Sequence, residues 1–161
     1  MTYNVLSLAY HEAGHAVVVR HLGCDLVKVE ICLDGRGGRA TVKDCGLSER
    51  QDALIALAGC AAEALSGSAI PDDLDRAVGY FEDMAIAQRA VSAMTGLEIV
   101  DDGFWNAYDA LTAEAEELIR HPAIWSAVRA LAAVLAERHA IDGAAAMAII
   151  DPILGKVAGH S

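Results

Sequence analysis

The stretch AYHEAGHAVVVRHLG, residues 9–23, places the pattern His-Glu-x-x-His inside an otherwise apolar segment. His11 and His15 are four residues apart, so a helix brings both imidazoles to one face, one turn apart. Two imidazole nitrogens placed in this way can bind one metal ion at about 2.0–2.1 Å. Glu12 is suited to accept a proton from a water molecule that the ion activates. The spacing therefore predicts zinc chemistry, although the five residues alone also occur by chance in ordinary helices.

The segments around this stretch predict a mainly α-helical domain with a small β-hairpin. The first helix is predicted at Leu6–Leu22, and Gly23 ends it. Apolar residues alternate with polar ones from Val27 to Leu33, which predicts a strand; a turn at Asp34–Gly38 lets Arg39–Lys43 return as a second strand. Four longer helices and a short last one are predicted at 48–65, 71–94, 104–121, 123–139 and 143–150. We interpret residues 1–161 as a single domain.

Composition and charge exclude several classes of function. The chain is 55% hydrophobic but only 5% aromatic, which favours closely packed helices. Its net charge of −11 repels phosphate backbones, so no nucleic-acid partner is expected. No run reaches the roughly 18 apolar residues of a membrane span, and the N-terminus lacks the basic region of a signal peptide.

The cysteines suggest a cellular compartment. No two of the four form a CxxC pair, and nothing else in the sequence indicates secretion. We interpret them as reduced, mostly buried thiols of a cytoplasmic protein. They are Cys24, Cys32, Cys45 and Cys60.

Two histidines do not complete a catalytic zinc site, which uses three protein ligands and one open position. The residues offer two sources of a third ligand and do not choose between them. Glu63 lies in the Ala-rich segment AGCAAEAL, where a buried carboxylate needs a metal or a salt-bridge partner. Asp72, Asp73 and Asp75 begin the third helix, where aspartates are also typical N-terminal residues.

Several segments, in the same order, resemble the peptidase domain of the FtsH family of ATP-dependent zinc proteases. The first helix resembles the family's zinc helix, and the hairpin resembles its Gly-rich hairpin. The later segments resemble the family motifs GGRAAEEL and NDLERAT and its C-terminal tail. The resemblance spans roughly residues 8–151, through YHEAGHAVV (10–18), VKVEICLDGRGGRATV (27–42), LAGCAAEAL (57–65), DDLDRAV (72–78) and AERHAIDGAAAMAII (136–150).

The resemblance implies a helical, zincin-like fold and a role for each matching residue. His11 and His15 are then zinc ligands, Glu12 is the general base, and Asp73 is the third ligand. Glu63 is implied to orient a ligand or to close the site from behind. The family's edge strand near the site pairs with substrate, and here that strand corresponds to Gly38, Arg39, Ala40, Thr41 and Val42.

The chain also departs from the family. FtsH proteins carry a membrane anchor and an ATPase that unfolds substrates, and neither is recognised in these residues. Cys60 replaces the usual Arg, and Asp72 replaces the usual Asn. We therefore expect a polypeptide substrate that is unfolded or flexible, or a separate ATPase partner. Because the family's peptidase domains form hexameric rings, a homo-oligomer is a further expectation.

These observations favour a small zinc metallo-endopeptidase that cuts peptide bonds through a zinc-activated water, with Glu12 as the base. Three alternatives stay open at this point. The chain could keep the zinc and bind peptides or a partner without cutting them. It could be a regulatory protease for one specific protein, or a plain helical domain without metal.

Overall fold

The computed structural model describes residues 4–34, 37–68 and 77–156. Within these ranges the protein is mainly helical with a small antiparallel sheet, so the predicted fold class is confirmed. The elements in chain order are α1 (Val5–His21), β1 (Leu26–Cys32), β2 (Gly37–Val42), α2 (Glu49–Leu65), α3 (Ala77–Thr95), α4 (Phe104–Arg120), α5 (Pro122–Arg138), β3 (Ala140–Asp142) and α6 (Gly143–Leu154).

Helix α1 lies at the centre of the fold and is buried on almost every side. Ala13 and Ala16 have no exposed surface, because α2 packs on one side of the helix and α5 on the other. Gly14 allows this packing: a Cβ atom there would lie 2.6 Å from the carbonyl oxygen of Ala58. Small residues at positions 13 and 14 thus bring the backbones of α1 and α2 close together. The predicted first helix is confirmed, with each end shifted by one residue.

The predicted hairpin is confirmed, but it belongs to a three-stranded sheet with the order β2–β1–β3. Strand β1 pairs antiparallel with β2, so that Val29 lies opposite Ala40 and Ile31 opposite Gly38. Strand β3 pairs with the other side of β1. Three residues are too few to show an alternating pattern, which explains why β3 was not predicted from the sequence. This order leaves one edge of β2 without a strand partner among the residues described.

Helix α2 packs on α1, and α3 packs in turn on α2. A capping box begins α2: the hydroxyl of Ser48 accepts from the backbone N–H of Gln51, and the Gln51 side chain accepts from the backbone N–H of Ser48. The predicted start of α3 at Pro71 lies outside the described residues, which resume at Ala77.

The apolar core has two parts, and α2 contributes to both. The first surrounds α1 and includes β1, α5 and α6. The second lies between α2, α3 and α4, with Phe104 fully buried in it. Of the other aromatic residues, Trp105 is 43% exposed, Tyr108 packs against the second part, and Trp125 stacks on Tyr10 at 5.5 Å between ring centroids.

The prediction that all four cysteines are reduced is wrong for two of them. Cys24 and Cys45 form a disulfide, whereas Cys32 and Cys60 are free. The hairpin causes this pairing, because it returns the chain so that the N–H of Lys43 donates to the carbonyl of Asp25 at 2.9 Å. Disulfides are typical of oxidising compartments. The cysteines therefore no longer support a cytoplasmic location, which stays a prediction.

Among the described residues, no single helix combines the length and the apolar composition needed to cross a membrane. Only α4 and α5 taken together meet such a criterion, and they are bent by 77° at their junction. Pro122 begins α5 at this bend.

Candidate metal centre

Helix α1 turns both histidines of the motif toward α2. His11 and His15 are each 9% exposed, and their Nε2 atoms are 3.0 Å apart. Nδ1 of His15 is 2.7 Å from the carbonyl oxygen of Ile55, and Nδ1 of His11 is 3.4 Å from a carboxylate oxygen of Glu63. Each of these acceptors can take the Nδ1 proton of its ring, and in that tautomer the lone pairs of the two Nε2 atoms are directed to the same point.

A carboxylate from α3 completes this cluster. Oδ2 of Asp83 lies 2.9 Å from Nε2 of His11 and 3.2 Å from Nε2 of His15. Three atoms with these separations can all lie about 2.0–2.1 Å from one ion, the distance range of zinc ligands. Two ring nitrogens and a carboxylate oxygen are all acceptors when the rings are neutral, so the cluster suits a cation. The three residues therefore fit a zinc ion.

Glu63 supports His11 from the side away from this point. It is 9% exposed, and its other carboxylate oxygen accepts a hydrogen bond from the hydroxyl of Ser7. A carboxylate that accepts from the outer nitrogen of a ligating histidine fixes the ring and increases its basicity. The role of Glu63 in orienting a ligand stays a prediction, and its contact with Nδ1 of His11 supports it.

Glu12 lies beside the convergent nitrogens. It is 4% exposed. One of its carboxylate oxygens, a ring nitrogen of His11 and a ring nitrogen of His15 all lie within 4.8 Å of one another. Burial raises the pKa of this carboxyl above its ordinary value. Gly38 covers it so closely that a Cβ atom at that position would be 2.4 Å from Cγ of Glu12.

Among the described residues, Cys60 also places a metal-binding side chain near the centre. Its sulfur, a ring nitrogen of His11 and a carboxylate oxygen of Asp83 lie within 4.8 Å of one another. Burial and the charges of Asp83 and Glu63 raise the pKa of the thiol to about 12. In the metal-free protein the thiol is therefore neutral at physiological pH, and His11, His15 and Asp83 are the better ligand set.

Gly59 lets α2 approach the metal centre. A Cβ atom there would lie 2.5 Å from Nε2 of His15 and 2.9 Å from Nε2 of His11. Any side chain at this position would therefore press against both Nε2 atoms of the cluster.

We expect Gly59→Ala to weaken zinc binding by at least tenfold and to destabilise the fold by about 1–3 kcal/mol, because the new methyl group forces both rings to move. Isothermal titration calorimetry with zinc and urea unfolding measure the two effects. Cys60→Ala, one residue away, is the matched control and should keep the affinity within a few-fold of wild type. A Gly59→Ala protein with unchanged zinc affinity would show that the rings do not bind the ion where we place it.

The cluster opens into a cleft of about 560 Å³ that the edge strand borders. Four residues of the predicted substrate strand line it, namely Gly38, Arg39, Ala40 and Val42. Thr41 is opposite Lys28 in the hairpin register and is not part of the lining. The free edge of β2, Glu12 and the two histidines therefore border one cleft.

The acidic and basic groups of the metal-free centre stabilise each other. Burial disfavours the charged form of His11, but hydrogen bonds to Asp83 and Glu63 outweigh it and raise the pKa of His11 to about 10. Burial likewise disfavours the charged form of Asp83, but the hydrogen bonds from His11 and His15 lower its pKa to about 2.

These shifts predict the pH dependence of stability after zinc is removed with a chelator. The pKa of His11 is raised, so the contribution of this side chain to the free energy of unfolding is fully present below pH 6.5 and is lost as the pH rises through about 10. The pKa of Asp83 is lowered, so the contribution of this side chain to the free energy of unfolding is present above pH 3.8 and is lost as the pH falls through about 2. We expect the free energy of unfolding in urea to decrease on the alkaline side, and His11→Asn to remove that decrease. A metal-free wild type that gains stability between pH 6.5 and 10 would contradict this assignment.

The sequence and the structure point to different residues as the third ligand. Asp73 was the predicted ligand, and it lies outside the described residues together with Asp72 and Asp75, so that assignment stays a prediction. The structure instead brings Asp83, which the sequence reasoning missed, to the two histidines. One signal could have found it: the spacing Asp-x-x-x-Ala in DLDRA (73–77) recurs in DMAIA (83–87).

Comparison with known proteins does not assign the chain to a family. No protein-family model matches it, and neither does any curated protein. The resemblance to the FtsH peptidase domain therefore rests on the motifs quoted above, and a function must be argued from the geometry of the metal centre.

Proposed function

We propose that the protein is a zinc metallo-endopeptidase that hydrolyses peptide bonds in unfolded or flexible polypeptides. His11, His15 and Asp83 hold the ion in this proposal. The observation that carries it is the triangle of 2.9, 3.0 and 3.2 Å between their ligand atoms, with a buried glutamate beside it. Three protein ligands leave the open position that a catalytic zinc site needs.

A bound zinc ion supplies a Lewis acid that activates a water molecule and polarises the scissile carbonyl. Glu12 takes the proton of the attacking water and passes it to the leaving amine. Burial raises the pKa of this carboxyl in the metal-free protein, and a bound zinc ion would lower it again toward the ionised form that accepts the proton. His15 and His11 stay oriented through Ile55 and Glu63 while this happens.

The edge of β2 is proposed to bind the substrate. An extended peptide can pair with its free backbone groups and so be held over the metal centre without a requirement for particular side chains. Gly38 has no side chain to block the approach to Glu12. A substrate that must add a strand has to be unfolded or flexible, which agrees with the expectation of a separate ATPase for folded substrates.

The test combines metal content with cleavage of an unfolded protein such as casein. We expect about one zinc ion per chain by elemental analysis, cleavage that a chelator abolishes, and recovery on zinc addition. Zinc at one per chain without cleavage of any unfolded substrate would support a peptide-binding protein instead. Cleavage of one cellular protein but not of casein would support a regulatory protease. Absence of zinc binding would overturn the proposal.

A further inference from the structure

One face of α2 continues from the metal centre into the cleft. Asp52, Ile55, Ala56 and Gly59 follow the three- and four-residue spacing of a single helix face. The first three line the cleft, and Gly59 touches the histidine rings. At 1.5 Å per residue, Asp52 lies about 10 Å along the helix from Gly59. The cleft therefore extends well beyond the reacting bond.

The part of the cleft between the metal centre and Asp52 is apolar. Val19 follows His15 by one turn of α1, and Ile86 follows Asp83 by one turn of α3. Both line the cleft, as do Ile55 and Leu47. Such a wall suits the aliphatic stem of a long side chain.

Beyond this apolar wall the cleft carries excess negative charge. Asp52 is half-buried and has no side-chain hydrogen bond or ion pair with another described residue. Glu49, one turn earlier on α2, and Glu82 on α3 line the same cleft. Two cations, Arg39 and Arg89, also line it, but neither forms an ion pair within 4.0 Å in the part of the chain described. A half-buried carboxylate without a partner gains free energy from a cationic ligand.

A second carboxylate in the cleft has no hydrogen-bond partner among the described residues, although the charges of His15, His11 and Arg39 act on it. Glu12 is 4% exposed, lines the cleft, and makes no side-chain hydrogen bond or ion pair with any residue in the described ranges. A buried carboxylate in this state marks a place where a ligand is expected to bind.

We propose that Asp52 determines specificity and that the cleft binds a lysine or arginine side chain flanking the scissile bond. The stem lies along Val19, Ile55 and Ile86, and the cationic end meets Asp52. This inference rests on the proposed function, since it concerns the substrate of the same site.

The test uses zinc-loaded Glu12→Gln protein, so that binding is measured without cleavage. The probes are fluorescent peptides of one Ala–Gly framework with a single Lys, Met or Glu scanned over the four central positions. We expect the Lys peptide to bind about tenfold more tightly than the Met peptide at one position. Adding Asp52→Asn should reduce that ratio to near one, and Asp52→Lys should favour Glu. Glu117→Gln on the exposed face of α4 removes one charge outside the cleft and should leave the ratio unchanged.

Two outcomes would overturn the inference: no advantage of Lys over Met at any position, or an Asp52→Asn protein that keeps the full ratio. Cleavage by the wild-type protein is measured on the same peptides. Cleavage without a preference for Lys would reject the inference and leave the proposed function standing. A preference in binding without any cleavage would reject the peptidase and leave the role of Asp52 standing.

Discussion

A Glu12→Gln protein is expected to bind one zinc ion per chain but to cut casein at least 10³-fold more slowly than the wild type. The side chain lies beside the three proposed ligand atoms and is not one of them in our proposal, so its replacement should not remove the metal. General acid–base catalysis typically increases a reaction rate 10²–10⁴-fold, and here Glu12 acts first as the base and then as the acid. Initial rates and elemental analysis on the same preparation measure the two quantities.

The substitution should also leave the fold intact. Gln has nearly the volume of Glu, and it removes a charge that burial already disfavours at this position. The melting temperature should therefore stay the same or rise. Glu63→Gln is the matched control, because it changes another buried carboxylate that touches His11 and not the reacting atoms. With saturating zinc it should keep most of its activity. A Glu12→Gln protein with full activity would exclude Glu12 as the base.

The sequence predicted the parts of this centre that are local in the chain. His11, Glu12 and His15 share two turns of one helix, so their spacing alone predicts that they lie together. The capping box at Ser48 and the hairpin are local in the same sense. Each of these elements depends on a pattern of three to seven neighbouring residues, so it could be predicted without knowledge of contacts with distant segments.

Features that depend on contacts between distant segments were harder to predict. Asp83 reaches His11 across 72 positions, and the pattern that places it on α3 also fits Asp73. In the sequence, Gly59 is one more small residue of an Ala-rich helix. The structure shows that a Cβ atom there would lie 2.5 Å from Nε2 of His15. The disulfide needs the exact return of the hairpin, which a spacing of 21 residues does not reveal. In each case the information lies in contacts between segments that are distant in the chain.

Zinc affinity should distinguish the two candidate third ligands. We expect Asp83→Asn to weaken zinc binding by more than 100-fold, because it removes the only negative charge among the three proposed ligands and leaves a weaker amide oxygen. Asp73→Asn is the matched control and should bind zinc as the wild type does. Calorimetric titration of the chelator-treated proteins measures both, and urea unfolding of the metal-free forms shows whether each variant folds.

A third variant gives a reference for the size of the expected losses in zinc affinity. Glu63→Gln should lose about 10–100-fold in zinc affinity, the usual cost of removing a hydrogen-bond partner of a ligating histidine. The expected order of loss is therefore Asp83→Asn, then Glu63→Gln, with Asp73→Asn unchanged. If Asp73→Asn alone abolished binding, the ligand inferred from the family resemblance would be right, and Asp83 would only hold the two histidines in place. If Glu63→Gln caused the largest loss, the ion would lie on the Nδ1 side of His11, away from Glu12, and the proposed role of Glu12 as the base would fail with it.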